Sequence, residues 1–167
     1  MAVLTAAALI VFVIESQIPI PVPIPGAKLG LANVVTLFAL FYNNDKARHA
    51  DSLSVANVFM ILICRIFLGA VFTGRVIAFI YSISGGLLGF AVQAVLKRFV
   101  THKQIWVCGA IGAVFHNIGQ IIAAIFVIGS PAIASYLPLL IITGIVTGII
   151  TGLIAQFSVE RIRTFYK

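Results

Sequence analysis

Acidic side chains are nearly missing from this chain: Glu15, Asp45, Asp51 and Glu160 are the four it has in 167 residues. Magnesium held against a diphosphate needs clustered carboxylates. These are scattered and form no paired Asp cluster, which excludes that chemistry for the chain alone. There is no P-loop and no nucleophile elbow, and no carboxylate stands near His116 in sequence to complete a nucleophile–base pair. Cysteine is equally scarce. Cys64 and Cys108 both lie inside apolar runs and read as small buried hydrophobes. Two thiols fall short of a zinc or iron–sulfur ligand set. The expectation is no metal, no cofactor and no enzymatic activity of the chain by itself. The N-terminus has neither a basic leader nor a small-residue cleavage site, so its apolar run reads as a retained span.

Charge of either sign is low, at 9% of residues. Soluble domains carry about 25%. Hydrophobic residues make up 62%, gathered in continuous runs. Runs of about 17–25 apolar residues cross the hydrocarbon core as helices. Lipid cannot satisfy exposed backbone groups, so continuous rather than alternating runs mean a helix bundle. Six spans are expected: Ala2 to Ile18, Leu29 to Tyr42, Val55 to Thr73, Val76 to Leu96, Ile105 to Ile128 and Ser135 to Phe157. They form one all-α transmembrane domain over residues 1–167. Prolines at 19, 21, 23 and 25 hold the first link extended.

The net charge of +7 comes from eleven Lys/Arg. Eight fall in the 43–54 and 97–104 loops and the C-terminal tail, whereas the opposite side has Lys28 and Arg75. That asymmetry puts both termini in the cytoplasm. The basic residues lie mostly in links and form no stripe interleaved with aromatics, so nucleic acid is not an expected partner.

Small and polar residues recur at helical spacing. Gly109, Gly112, Ala113, His116, Asn117 and Gln120 share a face of the fifth span, and Ser82, Gly85, Gly86, Gly89 and Gln93 do so on the fourth. The sixth carries a Gly144, Gly148, Gly152 ridge. Such stripes read first as helix-packing seams. Glu15, Arg65, His116, Asn117 and Gln120 lie at or near membrane depth, where a polar group needs a partner or a wet cavity. One reading is a structural ion pair of Glu15 with Arg65 or Lys28. The other is an outward-facing ligand site lined by Glu15, Lys28, Asn33, Arg65 and Arg75, with His116, Asn117 and Gln120 as its floor. Cations outnumber the carboxylate there, which favours an anionic or phosphorylated ligand. Lys28 also stands at the N-terminus of a short helix, where free N–H groups suit an anion.

Several stretches carry a resemblance: Glu15-Ser-Gln-Ile-Pro19, Pro25-Gly-Ala-Lys28-Leu-Gly-Leu-Ala-Asn33, Arg65-Ile-Phe-Leu-Gly69, Ser84-Gly-Gly86, Gly112-Ala-Val-Phe-His116-Asn-Ile-Gly-Gln120 and Tyr136-Leu-Pro138. Together they resemble the Gx transporter family, also labelled heptaprenyl diphosphate synthase component I, a bacterial membrane family. Polyprenyl synthases use two aspartate-rich magnesium sites, which this chain lacks. The label therefore implies at most a non-catalytic companion of a catalytic subunit. The six-span plan is also similar to the substrate-binding S-components of energy-coupling factor (ECF) transporters. That likeness implies cytoplasmic termini and an outward ligand site. It also implies a first-helix AxxxA motif, here Ala2 and Ala6, that docks on a transmembrane coupling subunit served by ATPases. At about 100° per residue, Ala6 and Glu15 lie about 180° apart around their helix. Family members also resemble a membrane component of flavin-based extracellular electron transfer.

Overall fold

The computed structural model describes residues 2–17, 30–42 and 54–165. Among these residues six α-helices follow one another: α1 Ala2–Gln17, α2 Asn33–Tyr42, α3 Val55–Thr73, α4 Val76–Leu96, α5 Ile105–Ile128 and α6 Leu137–Phe165. Short 3-10 turns at His102–Gln104 and Pro131–Tyr136 precede α5 and α6. No strand occurs among the described residues. Among the described residues, four helices are long and apolar enough to cross a membrane: α3, α4, and α5 and α6 with their leading turns. The 16 residues of α1 and 10 of α2 are shorter apolar helices. The proline segment, Lys28 and nearly all of the 43–54 loop lie outside the described residues.

Local chemistry explains the helix ends. Ser54 caps α3 by accepting the Ala56 N–H at 3.2 Å. At the other end Gly74 turns left-handed (φ 63°) and donates its N–H to Ala70 O at 2.9 Å. Gly129 closes α5 in the same way, at φ 71°. A left-handed closure is open to glycine without steric cost, and it satisfies a carbonyl the helix would leave orphaned. The expected bounds of α3, α4 and α5 agree with those observed. Two others shift. α2 begins at Asn33 rather than Leu29, because Gly30 adopts φ 80° and breaks the helix there. α6 starts two residues later than expected and runs on to Phe165, eight residues past Phe157, carrying Glu160, Arg161 and Arg163 on a continuous helix.

α5 packs along its length between α4 and α6. A Cβ at Gly85 of α4 would sit 2.7 Å from His116 O of α5, and one at Gly148 of α6 would sit 2.6 Å from Gly109 O. Both are closer than real side chains tolerate, so glycine sets the helix separation. The small-residue stripes are thus packing seams, as close backbone approach in lipid requires. Toward the end of the bundle opposite Gly74, Leu37, Leu40 and Phe41 of α2 meet Val58, Ile61 and Leu62 of α3, Cys108 of α5 and Val159 of α6 in one apolar core. Outward, Phe67, Val71 and Phe72 of α3 and Phe126 of α5 stand exposed. Lipid tails match such a surface; water does not.

Candidate functional site

Near the Gly74 end, polar side chains point into the bundle. Glu15, two residues from the end of α1, is buried. Its Oε1 accepts the Gly30 N–H at 2.5 Å and its Oε2 accepts the Ala32 N–H at 3.3 Å. Those donors belong to the turn that opens α2, whose own first bonds are Asn33 N–H to Gly30 O and Val34 N–H to Leu31 O. A carboxylate from α1 thus occupies the positive N-terminal end of α2. The N–H groups expected to receive an external anion beside Lys28 are held, at Gly30 and Ala32, by the chain's own Glu15.

Arg65 lies on α3 at 4% exposure. The Phe12 ring of α1 covers it, with the guanidinium carbon 6.0 Å from the ring centroid. Gly69, one turn along α3, leaves room for that ring: a Cβ there would lie 2.8 Å from Phe12 Cδ1. Arg65 is within electrostatic reach of both Glu15 and His116. Its Nε is buried with no hydrogen-bond partner.

His116 and Gln120 of α5 straddle Gly85 of α4. A Cβ on Gly85 would meet Gln120 Cγ at 2.9 Å and His116 Cε1 at 3.0 Å. Both residues are buried, and His116 Nδ1, Gln120 Nε2 and Gln120 Oε1 have no hydrogen-bond partner. Asn117 is one step around the helix and faces α6 instead. Its Nδ2 donates to Leu140 O at 2.6 Å. The polar stripe of α5 therefore serves two seams, His116 and Gln120 toward α4 and Asn117 toward α6.

The remaining predicted residues scatter. Asn33 is half-buried at the first position of α2. Arg75 is exposed in the α3–α4 turn. Ten residues from Arg65 correspond to about 15 Å of helix rise, so it lies outside the buried group. Lys28 falls outside the described residues. Ala2 and Ala6 are exposed on α1, on a face continued by Val3, Ile10 and Ile14 and turned away from buried Ala8, Phe12 and Glu15.

Two side chains of the same kind were not singled out from sequence. Thr36 Oγ1 of α2 and Tyr81 OH of α4 are buried without hydrogen-bond partners. Tyr81 precedes Gly85 by one helical turn and packs with Ala123 and Ala124. Its position on the Gly85 face was the available signal; Thr36, one turn from Asn33, had only that spacing. Among the described residues, no three His, Cys, Asp or Glu side chains group to hold a metal ion.

Among the described residues, four membrane-length apolar helices, with several buried polar atoms left unpartnered between them, define a helical membrane protein. The family described as heptaprenyl diphosphate synthase component I matches residues 4–158, and the chain belongs to that family. No curated protein and no solved structure matches it.

Proposed function

We propose that this chain is a membrane-embedded ligand-binding subunit of the S-component type. It captures a small anionic or amphipathic ligand from outside and presents it to an ATP-driven module made of other chains. All six helices form one domain in a bacterial plasma membrane, with both termini cytoplasmic.

The observation that carries this reading is the buried trio Arg65 Nε, His116 Nδ1 and the Gln120 amide, all without partners. Leaving a buried polar group unpaired costs about 1–3 kcal/mol. Several in one neighbourhood weigh heavily against a fold's net stability of about 5–15 kcal/mol. A polar guest that bonds them removes that cost. Glu15 beside Arg65 balances its charge, so the ligand's polar end competes with Glu15 for Arg65 if anionic and bonds Gln120 and His116 if neutral. These atoms are sealed from solvent, and α1 covers Arg65 through Phe12. Entry therefore requires the outer end of α1 to move. The exposed Ala2–Ala6 face, opposite Glu15, is left for the coupling subunit.

The second reading rests on the family match itself. In it, the chain is the non-catalytic membrane partner of a prenyl diphosphate synthase; the resemblance noted in the sequence adds an electron-transfer assembly as a variant of the same partner role. Mass spectrometry of small molecules and proteins that co-purify from native membranes separates the two. A bound metabolite lost in Arg65→Ala, together with ATPase subunits, supports the first. A catalytic synthase subunit with no bound metabolite overturns it in favour of the second.

A further inference from the structure

A concavity opens at the end of the bundle opposite Gly74, away from Glu15 and Arg65. It is an open groove between the start of α3 and the end of α4, with a volume of about 700 Å³. Lys97, Arg98 and His102 line it together with Val55, Val95 and Phe99. Its two halves differ in chemistry. Val55, Val95 and Phe99 are exposed apolar side chains, Phe99 at 78%. The cationic half follows directly after Leu96, where the apolar run of α4 stops. In a bilayer, that boundary is where acyl chains give way to headgroups.

The wall carrying the cations is well ordered by its own backbone. Lys97 N–H bonds Gln93 O at 2.9 Å, Arg98 N–H bonds Val95 O at 3.1 Å, and Phe99 and Val100 N–H both bond Leu96 O. Lys97 is half-buried, and burial holds its ammonium below the ordinary lysine value. None of the described residues lining the concavity is a carboxylate. A partly desolvated cation lacking an anion on its own wall is a site for an anion from elsewhere. The C-terminal end of α4 opposes this with about half an elementary negative charge. Lys97 and Arg98 supply two full positive charges against it.

We propose that this groove binds the headgroup of an acidic phospholipid in the leaflet at this end of the bundle. The phosphate sits between Lys97 and Arg98, with His102 at the rim, and the acyl chains run along Val55 and Val95. The apolar half distinguishes a lipid from a free phosphate, which would use the cations alone. Simple attraction of basic residues to an anionic surface would act equally at Lys103, which is exposed at the same end but does not line the groove.

The test is native mass spectrometry of the protein released from nanodiscs of mixed phosphatidylglycerol and phosphatidylcholine. Wild type should retain phosphatidylglycerol in preference. Lys97→Ala with Arg98→Ala should lower that retention by about tenfold, since the two charge-assisted contacts to the phosphate are lost together. Lys103→Ala should leave it unchanged. Equal losses in Lys103→Ala would reduce the effect to surface charge and overturn the site. Inorganic diphosphate that displaces the lipid at equal concentration would show that the apolar half is idle, which also overturns it. Matching thermal unfolding of the double variant and wild type confirms that the comparison is between folded proteins. If the double variant does not fold, Lys97→Gln alone carries the same expectation at a severalfold loss.

Discussion

Glu15 Oε1 accepts the Gly30 N–H at 2.5 Å, so the end of α1 caps the beginning of α2. This bond joins two helices across the segment that carries the four alternate prolines. It also gives the one buried acid in the described structure a role that does not depend on Arg65. The two partners of the expected ion pair are therefore unequal.

Glu15→Gln should destabilise the protein more than Arg65→Gln. Removing the carboxylate weakens the α2 cap by about 0.5–2 kcal/mol. It also removes the negative charge that Arg65 feels from Glu15, which adds to the loss. Removing Arg65 leaves Glu15 with its two backbone donors. The double change should recover part of the Glu15→Gln loss. Thermal unfolding of the three variants in detergent measures this; equal losses in both single variants would mean that the pair acts as a simple salt bridge.

Gly85→Ala should disturb the α4–α5 seam. Its Cβ would stand 2.7 Å from His116 O, a backbone atom that cannot swing aside. Overpacking of this kind costs about 1–3 kcal/mol. His116 and Gln120 should shift with it, so recovery of any co-purifying metabolite should fall in parallel. Unchanged stability would show that the two helices separate easily.

Ala6→Leu should leave the fold intact, because Ala6 is exposed on α1 and exposed changes stay within about ±0.5 kcal/mol. It should weaken association with a coupling subunit, since a bulky side chain blocks close helix approach. Co-purification from native membranes, compared with Ile122→Leu on the exposed face of α5, reads the difference. Undiminished association would place docking elsewhere.

Cysteines introduced at Arg75 and Lys103 should label from opposite sides of the membrane in a Cys64→Ser background, where the remaining Cys108 is buried. Arg75 sits in the α3–α4 turn and Lys103 in the 3-10 turn before α5, at opposite ends of α4. An impermeant maleimide applied to whole cells should reach position 75 and miss position 103. The reverse pattern would invert the bundle and turn the Arg65 cluster toward the cytoplasm.

Much of this was legible along the chain. Continuous apolar runs identify lipid as the solvent, and lipid then demands helices, because each backbone donor must find its acceptor locally. Runs closed by Gly74 and Gly129 gave the ends of α3 and α5 to the residue. Membrane-depth polar residues marked the interior, and Glu15, Arg65, His116, Asn117 and Gln120 are all buried. Periodicity also put Ala6 opposite Glu15. These are properties of single helices, set by local geometry and by the solvent around them.

Pairings between helices were decided by tertiary structure alone. Sequence spacing defines an angle around one axis; it does not say which neighbour stands at that angle. His116 and Asn117 differ by one step, yet one meets Gly85 of α4 and the other Leu140 of α6. Arg75 shares a charge with Arg65 but sits exposed beyond the helix end. Glu15 had cations as its apparent partners in sequence, and the fold gave it two backbone N–H groups, because the positive end of α2 was brought within hydrogen-bonding distance of its carboxylate.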